Sequence, residues 1–349
     1  MRYKLFGRTG LRVSEVCLGT MTFGESWGWG SSKEESKRVF ETFVSAGGNF
    51  FDTANFYTDG ESERMLGEFV RSNRHDFVIG TKYTLTANPD DPNAGGNQRK
   101  NLFRSVDESL ERLGTDYIDV YWVHVWDYMT PAEEVMRGLD DLVRMGKVHY
   151  LGISDAPAWY IAKANTLAEF RGWTAFAGLQ MQYSLTERTI EREILPYARS
   201  HGLLTTAWSP LSGGMLTGKY GTGAERRTAP GSRLDNGGLR DHFLTDRNFE
   251  IADVVKSIAD ETGRPMGQVA LAWMRHVDPG IVPIVGARQP AQLDESLASA
   301  DLELSDEQLG RLDAVSRIDL GFPGAMFARA EAAIYGKTLE RIDTDLEGY

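Results

Sequence analysis

The sequence has little cysteine and no long apolar run. Cys17 is the single cysteine among 349 residues, so an intramolecular disulfide is impossible and nothing demands an oxidising compartment. It lies in the short apolar segment EVCLG, where a buried thiol packs as a small hydrophobic group. The six histidines lack metal-ligand spacing, and no metal site is predicted. Without a candidate membrane span or signal peptide, we expect a cytoplasmic protein with no membrane association.

Positive charge is also scarce. The chain has 38 Lys and Arg against 50 Asp and Glu, a formal net charge of −12. An acidic surface disfavours nucleic acid and anionic membrane as general partners. The sequence leaves the oligomeric state open.

Short apolar segments alternate with amphipathic ones from residue 15 to about 300. Eight segments are predicted strands: 15–19, 49–52, 77–82, 118–124, 148–154, 176–182, 203–209 and 281–286. Between several of them, apolar residues spaced three and four apart and terminal glycines predict helices. Since no Gly-rich fingerprint follows the first strand, the alternation predicts an α/β fold of the (β/α)8 TIM barrel type rather than a doubly wound sheet.

A single domain is predicted over residues 1–349. It comprises an N-terminal β-hairpin at about 3–13, the barrel at about 15–315 and a tail at about 317–349 that lacks strong periodicity. Ser305 begins a predicted helix with a capping-box start. Polar segments after the third and seventh strands, TANPDDPNAGGNQRK and KYGTGAERRTAPGSRLDNGGLRDHF, predict extended rim loops.

Chemically active side chains stand at consecutive strand ends. Asp52 ends the second predicted strand, Lys82 the third and His124 the fourth, and Tyr57 follows Asp52 closely. In a TIM barrel these ends meet at the active-site face. We therefore expect the four side chains to converge.

The four side chains together predict acid–base chemistry. A phenol has a pKa of about 10, and an adjacent buried ammonium lowers that pKa, so Lys82 can make Tyr57 a better acid. A buried lysine needs a paired carboxylate, which Asp52 can supply. His124 can hydrogen-bond a substrate oxygen. The set predicts that Tyr57 protonates a carbonyl oxygen while a hydride reaches the carbon.

Taken singly, each residue has an ordinary structural explanation. Asp52 can cap a loop, and Tyr57 can be a half-buried loop aromatic. Lys82 can extend its amine to solvent, and His124 can be a satisfied core histidine. Their joint occurrence at consecutive strand ends favours a functional site.

A series of ordered motifs resembles the aldo-keto reductase family over about residues 1–300. The motifs are FGRTGLRVSEVCLGTMTFG, FFDTANFYTDGESERMLG, IGTKY, DYIDVYWVHVWD, GKVHYLGIS, LQMQYSL, WSPLSGGMLTGKY and PIVGARQPAQLDESL. The segment VWDYMTPAEEVMRGL is similar to the aryl-alcohol dehydrogenase-like branch. The resemblance implies reversible reduction of an aldehyde or ketone, with a catalytic tetrad of Asp52, Tyr57, Lys82 and His124.

The resemblance also implies NADP(H) bound in an extended pose without a Rossmann fold. The implied cofactor contacts are Thr20, Met21 and Asp52 near the nicotinamide, Ser154 and Gln180 at its carboxamide, Trp208 against its ring, Ser209, Pro210, Leu211, Gly213, Lys219 and Arg233 at the phosphates, and Gly286, Arg288, Gln292, Glu295 and Ser296 at the adenosine end. A guanidinium can bind a 2′-phosphate through two hydrogen bonds, so Arg288 favours NADP over NAD.

Three positions depart from the family pattern. Thr58 follows Tyr57 where glycine is usual, which bears on the local turn. Asp155 stands where asparagine is usual and removes an amide donor. Ser296 replaces an asparagine near the adenine.

Aromatic residues near the predicted rim suggest a substrate pocket. Trp27 and Trp29 lie after the first strand, and Trp126 and Tyr128 follow His124. With Tyr57 and His124 they suit a planar, cyclic or otherwise bulky carbonyl compound. Packing of some of these rings under loops is the alternative.

Two other functions fit a barrel. A non-enzymatic cofactor-sensing subunit, like the potassium-channel β subunits, typically carries asparagine where His124 stands. A hydrolase or isomerase needs paired carboxylates or metal ligands at the rim. The residues at the strand ends favour the reductase.

Overall fold

A computed structural model describes residues 1–86, 88–222, 226, 234 and 240–341. Its strands are β1 (Tyr3–Leu5), β2 (Arg12–Ser14), β3 (Cys17–Gly19), β4 (Phe50–Asp52), β5 (Val78–Tyr83), β6 (Ile118–Val123), β7 (Val148–Ser154), β8 (Phe176–Gln182), β9 (Leu204–Trp208) and β10 (Ile281–Val285). Strands β1 and β2 form an antiparallel hairpin, and β3 to β10 form a closed parallel barrel in chain order. Each predicted strand overlaps an observed one, so the predicted TIM barrel with an N-terminal hairpin is confirmed.

Large rings fill the amino-terminal end of the barrel. Trp122 on β6 is completely buried, and its ring lies 5.9 Å from that of Phe6, which the hairpin supplies. Phe6 also packs against Phe50, the first residue of β4. A Cβ at Gly152 would lie 2.2 Å from the Trp122 ring, so β7 needs glycine to pass the indole. The hairpin therefore covers this end, and the carboxyl ends of the strands form the rim.

Helices follow the strands around the barrel. They are α1 (Lys33–Ser45), α2 (Glu61–Val70), α3 (Arg99–Leu113), α4 (Ala132–Arg144), α5 (Ala158–Arg171), α6 (Ile194–His201), α7 (Arg240–Phe243), α8 (Asp246–Thr262), α9 (Met266–Val277), α10 (Pro290–Leu297), α11 (Asp306–Ser316) and α12 (Gly324–Tyr335). Ser32 caps α1 by accepting a hydrogen bond from the Glu35 amide. The predicted capping box of α11 is present and joins Ser305 to Gln308.

The tail beyond residue 317, where the sequence shows no strong periodicity, contains α12. This helix leaves Met326, Phe327 and Ile334 more than half exposed. Its alanine-rich sequence favours a helix by propensity. No helix of the described ranges, α12 included, is long and apolar enough to cross a membrane.

Candidate active site

Lys82 lies at the centre of the rim and joins three chain segments. Its Nζ donates to Asp52 Oδ2 at 2.5 Å, to the Thr53 carbonyl at 2.9 Å and to Tyr57 Oη at 2.9 Å. The Lys82 side chain has no solvent exposure, and that of Asp52 is 4% exposed. The parallel register of β4 and β5 brings the two strand ends together. The structure thus places three of the four predicted tetrad residues in one hydrogen-bonded group.

The Asp52 carboxylate has a second donor from across the barrel. Gln180 on β8 donates through Nε2 to Asp52 Oδ1 at 2.8 Å. Burial raises the pKa of Asp52, while the Lys82 ammonium and the Gln180 amide oppose that rise. Burial alone lowers the pKa of Lys82, but Asp52 and Tyr57 outweigh it, and the lysine pKa is raised. Lys82 therefore remains a cation beside the phenol.

His124 completes the predicted group beyond the end of β6. Its ring centroid lies 6.0 Å from that of Tyr57, nearly perpendicular to it. Burial, reinforced by the charge of Lys82, holds the His124 pKa well below its usual range, so the ring is neutral at physiological pH. Its Nδ1 is buried without a hydrogen-bond partner among the described residues. A neutral imidazole keeps one N–H that can donate to a substrate oxygen.

Tyr57 begins a short 3₁₀ turn of unusual backbone geometry. Thr58 has φ 46° and ψ 43°, and Asp59 has φ 55° and ψ 38°. Both lie in the left-handed region that glycine favours. Thr58 therefore adopts a backbone conformation that glycine favours, although it replaces the glycine that is usual in the family.

Thr20 lies beneath the rim in a cluster of buried hydroxyls. Its Oγ1 is 2.8 Å from Ser62 Oγ, which is 3.0 Å from Thr53 Oγ1. Thr20 Oγ1 also donates to the Asp52 carbonyl. The cluster supports the backbone below the Asp52 carboxylate. Met21, the next residue, is half-buried.

The predicted nicotinamide contacts lie across the barrel mouth from Tyr57. Ser154 is buried at the end of β7, and Trp208 is half-buried at the end of β9. The Trp208 indole Nε1 donates to Asp155 Oδ1 at 3.0 Å. Although solvent reaches Asp155, surrounding protein removes much of the carboxylate's hydration. This partial burial raises its pKa to about 6, against the effects of Trp208 and Lys82.

The segment after β9, predicted from the resemblance to lie at the cofactor phosphates, turns sharply. Ser209 has φ 53°, and its Oγ is buried without a hydrogen-bond partner in the described ranges. Gly213 and Gly214 follow with φ 62° and 92°. The Lys219 ammonium lies over Gly214, where an added Cβ would be 2.4 Å from Nζ. Pro210 and Leu211 lie within the same loop, whereas Arg233 lies outside the described residues.

A cavity of about 350 Å³ marks the predicted adenosine end. Its lining consists of Gly30, Ser31, Ser32, Glu35, Arg288, Gln289 and Gln292. The Arg288 amide donates to Gln292 Oε1 at 2.9 Å. Glu295 is exposed on α10, whereas Ser296 is nearly buried and donates to the Gln292 carbonyl. Gly286, which precedes this loop, is exposed. Arg288 and Gln292 therefore share one cavity, and Ser296 is engaged within its helix.

Two groups of aromatic rings contain the residues predicted to line a substrate pocket. Trp27 lies 5.9 Å from Trp29, 5.6 Å from Phe56 and 6.4 Å from Tyr57, measured between ring centroids. The second group surrounds Trp126 and comprises Tyr128, Trp159 and Tyr160 at 5.5–5.8 Å. The first group contacts the predicted proton donor directly.

Several contacts that hold the site were not predicted from the sequence. Gln180 was predicted as a cofactor contact, and its bond to Asp52 was not foreseen. Thr84 Oγ1 accepts from the His124 amide at 3.2 Å, and Phe56 joins the Trp27 group. A polar residue after a strand does not disclose its partner on a distant strand. Thr58 and Asp155 did carry a signal, because both depart from the family pattern.

Comparison with known proteins places this geometry in a family. The aldo/keto reductase family model matches residues 15–317. The chain is 40% identical over 326 residues to a norsolorinic acid reductase of Emericella nidulans, covering 90% of this chain and 81% of that protein. It is 37% identical over 340 residues to an aryl-alcohol dehydrogenase (NADP(+)) of Phanerodontia chrysosporium, covering 91% and 86% of the two chains. An aryl-alcohol dehydrogenase of Pestalotiopsis microspora is 38% identical over 324 residues.

Proposed function

The chain belongs to the aldo/keto reductase family, an oxidoreductase family that reduces carbonyl compounds, and we propose that it is an NADP(H)-dependent reductase of aromatic or bulky cyclic aldehydes and ketones. Hydride comes from the cofactor and a proton from Tyr57. The alcohol is oxidised by the reverse steps.

The contact between Lys82 and Tyr57 is the observation that carries this proposal. The Lys82 ammonium donates to Tyr57 Oη at 2.9 Å; the lysine side chain has no solvent exposure, and Tyr57 is half-buried. As the phenol gives its proton to a carbonyl oxygen, negative charge develops on Oη. The ammonium stabilises that charge strongly, because little water screens the interaction. Asp52 balances the lysine charge when the phenol is neutral.

The donor set of the rim fits a nicotinamide dinucleotide phosphate. When bound, the reduced cofactor supplies the hydride that reaches the carbonyl carbon. Trp208 offers an aromatic face, and Ser209 offers a buried hydroxyl that has no partner among the described residues. Arg288 lines the 350 Å³ cavity at the other end and suits a 2′-phosphate. The name of one relative, an aryl-alcohol dehydrogenase (NADP(+)), supports the same choice.

The aromatic group around Trp27 supports the proposed substrate class. Trp27 packs edge-on against Tyr57, so a ring carried by the substrate can meet aromatic surface as its carbonyl reaches the phenol. His124 lies near the same phenol and can orient the carbonyl oxygen through its N–H. Two relatives are named aryl-alcohol dehydrogenase, which agrees with an aromatic substrate.

Tyr57→Phe tests the proposal directly. Loss of the general acid should lower kcat by about 10²- to 10⁴-fold, measured as NADPH oxidation with aromatic aldehydes, cyclic ketones and sugars. NADPH affinity, measured by fluorescence titration, should remain close to wild type. NADH assayed beside NADPH tests the cofactor choice.

Tyr3→Phe is the matched control. Tyr3 belongs to the amino-terminal hairpin, and its hydroxyl donates a hydrogen bond to the Gly47 carbonyl. This variant should retain full turnover. Undiminished turnover in Tyr57→Phe would remove the tyrosine from the mechanism. Failure of the wild-type protein to oxidise NADPH with every carbonyl of the panel would overturn the proposed reaction.

A further inference from the structure

We propose that Thr58 is a positioning residue: its hydroxyl ties the β3 loop (residues 20–32) to the first turn of α2 and thereby holds Tyr57 against Lys82. The inference rests on the proposed function, in which Tyr57 gives the proton. Thr58 does not touch the reacting atoms.

The backbone at Thr58 is one that its side chain disfavours. Thr58, Asp59 and Gly60 have successive φ values of 46°, 55° and 79°. Only the glycine adopts this region without steric cost, and a β-branched residue there is an outlier. Such strain persists where the surrounding structure over-determines the conformation. Contacts of the Thr58 side chain must therefore stabilise this conformation.

The Thr58 hydroxyl makes two hydrogen bonds to two different segments. It donates to the Phe23 carbonyl in the β3 loop at 2.8 Å and accepts from the Ser62 amide at 3.1 Å. Thr58 is 1% exposed. Ser62 is in the first turn of α2, where amides lack partners within the helix. Gly60 at the N-cap has no side chain, so Thr58 supplies the capping oxygen that the cap residue cannot.

The same two segments are in close contact beside this bond. A Cβ at Gly24 would lie 2.8 Å from Thr58 Oγ1 and 2.4 Å from Glu61 Oε2. Glu61 Oε2 also accepts from the Glu25 amide at 3.0 Å. The β3 loop is therefore held against the segment that follows Tyr57. Because Gly24 has no side chain, the two segments can approach this closely.

The two hydrogen bonds of Thr58 restrain Tyr57 in two ways. Through the backbone, Thr58 fixes the residue directly after Tyr57. Through the β3 loop, it fixes Trp27, whose ring lies 6.4 Å from that of Tyr57 and 5.6 Å from that of Phe56. The Tyr57 ring thus contacts both the Trp27 ring and the Lys82 ammonium, whose Nζ is 4.6 Å from the Tyr57 ring centroid. Loss of the hydroxyl releases both restraints on the phenol.

Three substitutions separate the hydroxyl from the strain. Thr58→Val keeps the shape and the β-branch but loses both hydrogen bonds. Thr58→Gly loses the hydroxyl and also relieves the backbone. Thr58→Ser keeps the hydroxyl. Asp59→Gly is the matched control, because it relieves the neighbouring left-handed residue, which is exposed, without touching the Thr58 bonds.

Carbonyl reduction by these variants, with NADPH as cofactor, tests the inference. Because small misplacement of a reacting group slows catalysis steeply, Thr58→Val and Thr58→Gly should lower kcat by about tenfold or more. Thr58→Ser and Asp59→Gly should stay near wild type. The Kd for NADPH should be unchanged in all four. Thr58→Gly should be slow even if it melts no lower than wild type, a result that a purely structural role does not give.

Crystal structures of Thr58→Val and Thr58→Gly provide a readout independent of turnover. We expect Tyr57 Oη to leave hydrogen-bonding distance of Lys82 Nζ. Wild-type kcat in both variants, or an unmoved Tyr57, would overturn the role of Thr58. If the wild-type protein reduces no carbonyl, the proposed function fails, and the position of Tyr57 in the crystals still decides whether Thr58 holds it.

Discussion

At the scale of single residues, the Lys82–Asp52 pair is the most consequential contact of the rim. Both side chains are almost inaccessible to solvent, and Nζ lies 2.5 Å from Oδ2. A buried ion pair contributes little net stability against an apolar pair, but removal of one partner leaves an uncompensated charge. The pair therefore makes the stability of the fold depend on the same atoms that the proposed chemistry uses.

Lys82→Met tests this dependence. The variant should lose about 3–5 kcal/mol of unfolding free energy, because the Asp52 carboxylate is left buried without its cation. The double variant Lys82→Met/Asp52→Asn should recover part of that loss, measured by urea denaturation. A double variant no more stable than the single one would contradict this explanation. Both proteins should lack turnover.

Titration of Asp155 should make the stability of the folded protein depend on pH. The pKa of Asp155 is about 6 in the folded protein against an ordinary value of 3.8. Because the folded-state pKa is raised, its contribution to stability is complete below about pH 4 and is lost as pH rises through 6. Asp155→Asn abolishes this titration and retains an oxygen that can accept from the Trp208 indole.

The stability of Asp155→Asn relative to wild type should therefore rise between pH 4 and pH 7 and then remain level. Solvent reaches this side chain, so the increment should be small. Melting temperatures of both proteins across this range provide the measurement. A difference that is constant with pH, or one that falls, would show that the Asp155 pKa is not raised.

At the residue scale, the sequence predicted which groups meet but not how they are held. Asp52, Lys82 and His124 each end a strand or follow its last residue, and barrel topology brings such positions together. Thr58 gave only a hint, because its hydroxyl partners lie in segments whose relative placement follows from packing. A hydrogen bond between Gln180 and Asp52, 128 positions apart, has no local signal.

At the scale of secondary-structure elements, the barrel closes around Trp122. Gly152 and Gly178 on neighbouring strands both face this indole, and an added Cβ would lie 2.2 Å and 3.1 Å from it. The Trp122 ring is fully buried, so it cannot move into solvent. The barrel can therefore close only because the backbones of these two strands approach the Trp122 ring closely.

Gly152→Ala should destabilise the protein by about 1–3 kcal/mol or more, because overpacking shifts strand β7 against the indole. Gly310→Ala is the matched control. Gly310 is exposed within α11, and a Cβ there would meet no described atom within 4 Å. That variant should gain about 0.5–1 kcal/mol. Thermal or urea unfolding measures both, and equal stabilities would contradict the packing argument.

Prediction of elements succeeded where apolar patterns were short and bounded. The strands β7 and β8 were predicted with their observed limits, 148–154 and 176–182. No helix was predicted where α12 lies, because the tail shows no strong periodicity. Pattern reasoning detects helices that bury one face, and α12 exposes large apolar side chains.

At the scale of the whole molecule, the barrel seam lies beside the proposed cofactor cavity. Strand β10 pairs with β3, which closes the barrel. Above this seam, Thr22 Oγ1 donates to the Ala287 carbonyl at 2.8 Å and Ser31 Oγ donates to the Arg288 carbonyl at 3.1 Å. The first and last strand loops are thus joined at the cavity that Arg288 lines. A ligand in this cavity would contact the loops that follow the first and the last strand of the barrel.

Transfer of a labelled hydride shows whether the protein reduces a carbonyl by the proposed reaction. NADPH carrying deuterium at the transferable position is incubated with the wild-type protein and an aromatic aldehyde, and the alcohol is analysed by mass spectrometry. We expect one deuterium at the carbinol carbon in the wild-type product and almost no alcohol with Tyr57→Phe. An unlabelled alcohol, or equal labelled product from both proteins, would contradict this expectation.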